Sequence, residues 1–266
     1  MIKAVFFDID GTLVSFNTHK VPESTREALA KLRNNGIKTF IASGRHLASI
    51  NNLPNLEFDG YVLINGAFAF MMVPKDEKHP DGREVIYRHP IPKEDVESWL
   101  NFIKENPKST VLVYEKNLTM NFKDEVMQEI FDLLNFPEPL VGNLEELKDE
   151  EIFQIITTFT DEESPEMMKN LPNCKTSRWH PRFTDINESH CSKARGIQAV
   201  MEYFGWTKDE VMSFGDGGND VDMLQMAGVG VAMGNSDESV KQHADYITSS
   251  VDDDGVYKAL KHFDLI

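Results

Sequence analysis

The chain has 266 residues, of which 41% are hydrophobic and 27% charged, and its formal net charge is −17 at pH 7. This composition is typical of a globular protein with a large core and room for two domains. The acidic excess argues against a nucleic-acid-binding or anionic-membrane surface, because phosphate backbones need a broad basic footprint. A small anionic ligand, held by a local group of cations, remains compatible with it.

Two further features bear on location. The two cysteines, Cys174 and Cys191, form neither a disulfide framework nor a zinc-ligand spacing. No apolar run approaches the roughly 18 residues of a membrane span, and the N-terminal residues lead into a core strand rather than a signal peptide. We therefore expect a cytoplasmic protein without membrane contact. The sequence predicts no particular oligomeric state.

The first predicted element is a buried parallel strand, Ala4-Val5-Phe6-Phe7, which runs directly into Asp8-Ile9-Asp10-Gly11-Thr12. Open α/β sheets place their sites at the carboxyl ends of such strands. Asp8 and Asp10 share one side if the chain stays extended, although the following turn can re-aim Asp10. Carboxylates this close repel unless a cation or a proton intervenes, and Mg²⁺ suits oxygen ligands. The alternative is a strand followed by an acidic turn.

A helix is predicted to start within Val21-Pro22-Glu23-Ser24-Thr25 and to be stopped by Asn34-Asn35-Gly36. A second strand then covers residues 37–42 and ends at Ser43-Gly44-Arg45. The Ser43 hydroxyl, the backbone N–H groups and Arg45 could donate hydrogen bonds to an anion there. In the alternative interpretation, Ser43 caps a following helix and Arg45 lies at the surface. A third strand, residues 61–64, ends at Asn65, and residues 68–73 and 84–87 are predicted to pair as a hairpin.

The pattern of elements changes beyond this hairpin, where Pro90 and Pro92 open a new stretch. Helices are predicted over residues 93–104, 123–134 and 161–170, and strands over residues 110–114, 118–121, 152–159, 175–179 and 182–186. This alternation indicates an inserted α+β domain. Its Arg178 and His180 could reach a substrate, although a solvated strand face is the alternative for both.

The first pattern resumes at Ser192, a predicted N-cap for a helix that runs to Phe204. Lys193 lies in the first turn of this helix, where a cation opposes the helix dipole at a cost of a few tenths of a kcal/mol or more. Its position therefore predicts a nearby anion. A solvated surface lysine is the alternative.

A further buried strand, residues 211–214, ends in Gly215-Asp216-Gly217-Gly218-Asn219-Asp220. The glycines allow close approach to a ligand, and Asp216, Asn219 and Asp220 carry oxygen donors of the kind that Mg²⁺ uses. A surface turn or a calcium-like site is the alternative, but the EF-hand spacing is missing because no glutamate closes the loop. Helices over residues 221–227, from 237 and over 255–262, with strands over 229–233 and 245–248, complete the alternation.

These elements predict an α/β protein with a Rossmann-like, doubly wound parallel-sheet core and an inserted α+β domain. We place the core at residues 1–83 and 187–266 and the inserted domain at residues 84–186. In a parallel sheet the ends of the four apolar strands meet at one edge. Acids for a metal, polar donors and the Lys193 cation together indicate a phosphoryl-transfer site.

The same residues carry a family resemblance. Asp8-Ile9-Asp10-Gly11-Thr12, Ser43, Lys193 and Gly215–Asp220 resemble the four motifs of the haloacid dehalogenase superfamily. More narrowly, the chain is similar to its Cof-type sugar-phosphate phosphatases, with a type-two cap inserted between the second and third motifs. The resemblance covers essentially the whole chain, including Asn65-Gly66-Ala67 and residues 228–235.

The resemblance implies a role for each of these residues. Asp8 would be the nucleophile that forms an aspartyl-phosphate, and Asp10 the general acid and then base. Mg²⁺ would be held by Asp8, the Asp10 backbone carbonyl and Asp216, with Asp220 or Asn219 in support. Phosphate oxygens would be bound by Ser43, Lys193 and the backbone N–H groups of Ile9 and Gly44, and the substrate by candidate contacts at Asn65, Arg45, Arg178 and His180.

The implied activity is hydrolysis of a small phosphate ester, expected to be a hexose or pentose phosphate. Two alternatives stay open. One is a phosphohexomutase-like phosphotransferase of the same architecture, and the other a non-catalytic sugar-phosphate-binding protein. The second predicts loss of an acid, yet Asp8, Asp10, Asp216 and Asp220 are all present.

Overall fold

The computed structural model of the protein describes residues 1–134 and 137–266. The strands, numbered in chain order, are β1 Ala4–Phe7, β2 Lys38–Ala42, β3 Gly60–Leu63, β4 Phe68–Met72, β5 Arg83–Arg88, β6 Thr110–Tyr114, β7 Leu118–Met120, β8 Leu140–Val141, β9 Ile152–Thr157, β10 Cys174–His180, β11 Phe183–Glu188, β12 Val211–Gly215, β13 Val229–Ala232 and β14 Tyr246–Ile247.

The α-helices are α1 Glu23–Asn34, α2 Lys93–Glu105, α3 Glu125–Leu134, α4 Ser164–Met167, α5 Lys193–Phe204, α6 Val221–Met226, α7 Glu238–Lys241 and α8 Gly255–His262. None of the helices in the described ranges is long and apolar enough to cross a membrane.

The larger sheet carries the strands that end in the predicted site. Within the described residues it has eight strands, in the order β14-β13-β12-β1-β2-β3-β4-β5. Neighbours from β14 to β3 are parallel, whereas β4 and β5 are antiparallel. β1 is fully buried between β12 and β2, and its Phe6 ring stacks on Phe40 with centroids 4.6 Å apart. The α/β fold expected from the sequence is confirmed.

The smaller sheet has its own core. Among the described residues its strand order is β10-β11-β9-β6-β7-β8. Helix α2 packs Trp99, Leu100 and Ile103 into a buried cluster with Ile155 of β9. Trp99 is fully buried, and its ring lies edge-on to Phe159 with centroids 5.7 Å apart. The apolar spacing along α2 thus buries one face of the helix against the sheet.

Contacts divide the chain into two units. The core unit comprises Met1–Gly44, Asn52–Arg88 and Ser192–Ile266, and the inserted unit comprises Arg45–Asn51 and His89–Cys191. The predicted ends of the inserted domain, residues 84 and 186, lie a few residues before the ends of the inserted unit at His89 and Cys191. β5 pairs with β4 and stays in the larger sheet, whereas Glu188 of β11 pairs with Cys174 of β10. The sequence did not predict that Arg45–Asn51 belongs to the inserted unit.

Several local expectations need correction. The helix predicted after Ser43 is only a three-residue turn, Leu47–Ser49, capped by His46 rather than by Ser43. The helix predicted over residues 161–170 shortens to α4 followed by a turn that ends at Asn170. The parallel pairing of β8 with β7 was not predicted, since two residues between prolines and a glycine carry no periodic signal.

The two cysteines behave as expected. Cys174 and Cys191 are both buried, and no disulfide joins them. Burial raises the pKa of the Cys191 thiol to about 12 and also raises that of Cys174, where Asp95 adds to the effect. Neither thiol is therefore primed for nucleophilic chemistry.

The first turn of α5 packs very closely against the turn that follows β3. A Cβ on Gly196 would lie 2.4 Å from Val62 Cγ1, and one on Gly66, whose φ is +89°, would lie 1.9 Å from the Ser192 carbonyl oxygen. These two glycines allow the helix to begin directly over the carboxyl end of β3. They set the position of Lys193, the first residue of the helix.

Glu188 joins the beginning and the end of the inserted unit. Its carboxylate accepts hydrogen bonds from the His89 ring at 2.6 Å and from the His190 backbone N–H at 2.6 Å. The His190 ring lies 3.0 Å from its other oxygen. Burial on its own raises the pKa of Glu188, but the hydrogen bonds from His190 and His89 outweigh it and lower the pKa to about 2.

We predict that Glu188 stabilises the inserted unit in a pH-dependent way. Because its pKa in the folded protein is about 2, against 4.5 for an ordinary glutamate, its contribution is complete above about pH 4.5 and is lost as the pH falls towards 2. Urea unfolding of the wild type and Glu188→Gln should show a stability gap at pH 6 that closes over this range. The exposed control Glu162→Gln should show no such gap, and an equal gap at pH 3 and pH 6 would contradict the prediction.

We also predict that Gly196→Ala is destabilising, although alanine is the better helix former by about 1 kcal/mol. The added methyl group overlaps Val62, and overpacking of this kind typically costs about 1–3 kcal/mol. The measurement is the free energy of unfolding in denaturant. Gln198→Ala, at an exposed position of the same helix, is the control and should be neutral. Equal stability of Gly196→Ala and the wild type would show that the contact is not tight.

Candidate active site

Asp8 lies at the centre of the edge where the parallel strands end. The register of β1 on β12 pairs Phe7 with Phe214, and the Asp8 N–H donates to the Phe214 carbonyl at 3.0 Å. Asp8 is therefore placed beside the loop that begins at Gly215, and its side chain is buried. The expected meeting of the first and last acidic motifs at one sheet edge is present in the structure.

The turn after Asp8 folds back tightly on itself. The N–H groups of Leu13 and Val14 donate to the Ile9 carbonyl at 2.9 and 2.8 Å. Gly11 has a φ of +83°, and a Cβ there would lie 2.1 Å from Asp216 Oδ2. Glycine is required both for this backbone conformation and for the approach of Asp216.

Three carboxylates converge at this edge. Asp8, Asp216 and Asp220 each offer a carboxylate oxygen, and these three oxygens lie within 4.8 Å of one another. Among residues 1–134 and 137–266, these three side chains form a group that could hold a metal ion. The Asp10 carboxylate is not part of that group. The use of the Asp10 backbone carbonyl as a metal ligand stays a prediction.

Lys193 lies between two of these acids. Its Nζ donates to Asp8 Oδ1 and to Asp220 Oδ1, each at 2.6 Å, and the residue is only 1% exposed. The surface-lysine alternative is therefore wrong. Burial disfavours the ammonium charge, but attraction to Asp220 and Asp8 outweighs burial and raises the pKa of Lys193. The two carboxylates therefore offset the unfavourable interaction between the Lys193 charge and the helix dipole.

Asp220 organises the loop after β12 from within. Its Oδ2 accepts hydrogen bonds from the backbone N–H groups of Asp216 and Gly217, both at 2.9 Å. A Cβ at Gly215 would lie 2.5 Å from the Cβ of Asp220, so only glycine allows the loop to close this tightly. Asp220 thus anchors both the loop and Lys193, while Asp216 is left to face Asp8.

The charges at this site do not balance. With all three acids ionised, the lysine leaves a net charge of −2. Burial is the main cause that raises the pKa of Asp8 to about 7 and that of Asp216 to about 8, and repulsion from Asp220 adds to both. Lys193 offsets part of this shift. A divalent cation among these oxygens would supply the missing charge and keep both acids ionised.

Two residues that received no role from the sequence support Asp216. The Thr12 hydroxyl donates to Asp216 Oδ1 at 2.9 Å. Asn235 Nδ2 donates to the Gly11 carbonyl at 2.9 Å and approaches Asp216 Oδ2 at 3.4 Å. Both carried a usable signal: Thr12 belongs to the first motif, and Asn235 follows β13, another parallel strand that ends at this edge.

The ends of β2 and β3 are joined in the same region. The Ser43 carbonyl accepts from the Asn65 N–H at 3.1 Å, and Asn219 Nδ2 donates to Asn65 Oδ1 at 3.0 Å. A Cβ at Gly44 would lie 2.9 Å from that same Asn65 oxygen. Asn65 therefore links the Ser43–Gly44 turn with the loop that carries the acids.

The backbone at Asn65 is strained. Ile64 and Asn65 have φ values of +56° and +52°, in the left-handed region. Asparagine tolerates this conformation, but a β-branched isoleucine rarely adopts it. Such strain costs on the order of 1–3 kcal/mol and is concentrated at functional sites. No pattern in the sequence indicated it.

The three remaining candidates lie in the inserted unit. Arg45 is buried and donates to the Ser49 carbonyl at 2.9 Å. Arg178 donates to the Phe183 carbonyl at 3.0 Å and to Ser164 Oγ at 2.6 Å, and lies 3.2 Å from Asp161. The His180 side chain is outside the described part of the chain. Contacts of these residues with a substrate stay predictions, as do the phosphate-binding roles of the Ile9 and Gly44 N–H groups.

Comparison with known proteins agrees with this geometry. The family model for haloacid dehalogenase-like hydrolases matches residues 5–260. The putative phosphatase YkrA of Bacillus subtilis (strain 168) is 33% identical over 99% of this chain and 98% of its own. The 5-amino-6-(5-phospho-D-ribitylamino)uracil phosphatase YitU of the same organism is 26% identical over 97% of this chain and 96% of its own.

A solved structure described as the subclass IIB sugar phosphatase BT4131 superimposes with a TM-score of 0.88 at 42% identity. The match covers 99% of this chain and 100% of that one. The match of the family model over nearly the whole chain agrees with the convergence of Asp8, Lys193, Asp216 and Asp220 at one sheet edge. The chain therefore belongs to the haloacid dehalogenase-like hydrolases, as a phosphatase of that family.

Proposed function

We propose that this protein is a Mg²⁺-dependent phosphatase that hydrolyses small phosphate monoesters, in particular sugar phosphates of the hexose class, through an aspartyl-phosphate on Asp8. The observation that carries the proposal is the buried group of Asp8, Asp216 and Asp220 with Lys193 between two of them. A similar sugar phosphatase and a phosphatase of a ribityl phosphate support the substrate class. We propose the cytoplasm as the place of action.

The residues present fit a magnesium ion. The carboxylates of Asp8 and Asp216 and the backbone carbonyl of Asp10 would hold it, with Asp220 and Asn219 in support. All of these are oxygen donors, and the net charge of −2 matches a divalent cation. When bound, Mg²⁺ supplies positive charge that offsets the repulsion between the Asp8 carboxylate and a phosphate dianion.

Lys193 is proposed to orient the nucleophile and to offer a further hydrogen-bond donor to the substrate. An ammonium group has three donors, and two of them are directed at Asp8 Oδ1 and Asp220 Oδ1. Oδ1 of Asp8 is thereby fixed, so that Oδ2 is the oxygen proposed to attack. The third donor of Lys193, the Ser43 hydroxyl and the N–H groups of Ile9 and Gly44 would bind the phosphoryl oxygens, where charge accumulates in the transition state.

The proposed reaction has two steps. In the first, Asp8 Oδ2 forms a bond to phosphorus while the bond from phosphorus to the ester oxygen breaks, and Asp10 donates a proton to the departing alcohol. In the second, Asp10 takes a proton from water as the water oxygen attacks phosphorus. The bond between phosphorus and Asp8 then breaks and releases inorganic phosphate. The inserted unit is proposed to act as the cap that selects the alcohol and excludes water.

We predict that Asp8→Asn lowers kcat by about 10⁴-fold or more, because the amide is a poor nucleophile, while inorganic phosphate or vanadate still binds. The assay measures phosphate release from a panel of sugar phosphates, nucleotides and phosphorylated cofactors, with Mg²⁺ and no bisphosphate activator. The exposed Asp222→Asn is the matched control and should retain full turnover. Near-normal turnover of Asp8→Asn would refute the nucleophile, and transfer to a second sugar without phosphate release would indicate a mutase.

We predict that the metal-free protein is stabilised by Mg²⁺ and that Asp216→Asn abolishes this stabilisation. Removing one of three crowded acids relieves repulsion, so Asp216→Asn without metal should melt at or above the wild-type temperature. Thermal unfolding with EDTA and with Mg²⁺ measures both effects in the absence of substrate. Asp222→Asn should respond to Mg²⁺ as the wild type does. Unchanged Mg²⁺ stabilisation of Asp216→Asn would exclude Asp216 as a ligand.

A further inference from the structure

The turn that follows β3 takes an unusual backbone path. Ile64, Asn65 and Gly66 follow one another with φ values of +56°, +52° and +89°. Glycine adopts such values freely and asparagine tolerates them, whereas isoleucine rarely does. A backbone of this kind persists only where the surrounding structure holds it in place, and it is concentrated at functional sites. The contacts of Asn65 show what this path achieves.

Backbone contacts of the turn involve two other segments of the core unit. The Asn65 N–H donates to the Ser43 carbonyl at 3.1 Å. A Cβ on Gly66 would overlap the Ser192 carbonyl oxygen, so the turn packs directly on the residue that caps α5. The turn therefore joins the end of β2 to the start of α5, and these contacts do not use the Asn65 side chain.

The Asn65 side chain reaches a further segment, the loop after β12. Its Oδ1 accepts a hydrogen bond from Asn219 Nδ2 at 3.0 Å, and Asn65 is only 8% exposed. The same oxygen lies 2.9 Å from the place of a Cβ on Gly44. Asn219 is folded back over its own loop, since a Cβ on Gly217 would lie 2.9 Å from Asn219 Oδ1. One buried amide oxygen thus lies between Gly44 and the loop that carries the acids.

The contacts around the first turn of α5 form a closed ring. At the first link, the turn after β3 packs on Ser192. At the second, Lys193 donates to Asp220 at 2.6 Å, and at the third, Asn219 donates to Asn65. The third link joins two neutral amides. It can therefore be removed without changing the charge of the site.

We propose that Asn65 is a positioning residue that sets the spacing between the Ser43–Gly44 turn and the loop over residues 215–220. This inference rests on the proposed function, because it takes the turn as a donor of hydrogen bonds to phosphate and the loop as part of the metal site. A phosphoryl group that contacts both needs them at a fixed separation. The left-handed backbone directs the Asn65 amide at Asn219, so Asn65 acts through its neighbours.

Three variants separate the amide from the backbone that carries it. Asn65→Gly removes the amide and keeps the path of the turn, because glycine adopts a φ of +52° freely. Asn65→Ala removes the same amide but strains the left-handed backbone further, and it should unfold at a lower denaturant concentration than Asn65→Gly. Asn55→Gly is the matched control, since Asn55 is exposed, has a φ of +61° and lies in the same unit.

The first measurement is amide hydrogen exchange of the protein without metal or substrate. The Asp220 N–H donates to the Gly217 carbonyl at 3.0 Å and closes the short turn that contains Asn219. In Asn65→Gly this amide should exchange about threefold faster or more, because Asn219 loses its partner. Asn55→Gly should leave its rate unchanged. An effect confined to residues 64–67, or an unchanged Asp220 rate in Asn65→Gly, would overturn the proposal.

The second measurement compares binding of Mg²⁺ alone with binding of inorganic phosphate at saturating Mg²⁺. Asn65→Gly and Asn65→Ala should both bind phosphate about tenfold more weakly, which corresponds to about 1.4 kcal/mol, and bind Mg²⁺ within about twofold of the wild type. Phosphate binding retained in Asn65→Gly and lost in Asn65→Ala would show that the backbone alone matters. An equal loss of Mg²⁺ affinity would show a general disordering of the loop. Either result contradicts the spacing role.

The two measurements keep this inference distinct from the proposed function. If the wild type neither bound phosphate nor hydrolysed any ester, the proposed function would fail, whereas exchange at Asp220 would still decide whether Asn65 positions the loop. If the wild type hydrolysed phosphate esters and Asn65→Gly matched it in both measurements, the function would stand and the role of Asn65 would be refuted.

Discussion

The buried charge of Lys193 is the constraint on which the rest of the site depends. Moving an ammonium group out of water costs several kcal/mol unless counter-charges and hydrogen bonds replace its hydration. Here the replacement comes from Asp8, at the end of β1, and Asp220, in the loop after β12, each at 2.6 Å. Three segments far apart in the chain must therefore arrive together, and the parallel register and the glycine contacts of α5 bring them there.

The same arrangement departs from what stability alone would favour. Three carboxylates around one lysine leave excess negative charge in a buried place, and left-handed backbone at Ile64 and Asn65 adds strain beside it. Features of this kind persist where function requires them and the surrounding fold holds them in position. The surrounding fold here is a sheet whose central strand, β1, is wholly buried, and a short turn locked by Gly11 and Asp216.

Much of this arrangement could be predicted from local sequence. Apolar runs marked the core strands, and Ser192 and Gly205 marked the ends of α5, because these signals depend on neighbouring residues alone. The strand ends then placed Asp8 beside Asp216. The positions of Thr12 and Asn235 at this sheet edge carried a signal in the sequence, but their choice of Asp216 as a partner depends on which distant side chains the tertiary fold brings together. The left-handed turn after β3 also left no periodic signal.

The membership of Arg45–Asn51 has a consequence for how such a chain can change over evolution. Glu188 holds the start and finish of the long insertion together through His89 and His190, so the insertion resembles a cassette with adjacent ends that could be exchanged between relatives. Yet seven residues that complete it are encoded near the beginning of the chain. A transplanted cassette would arrive without them.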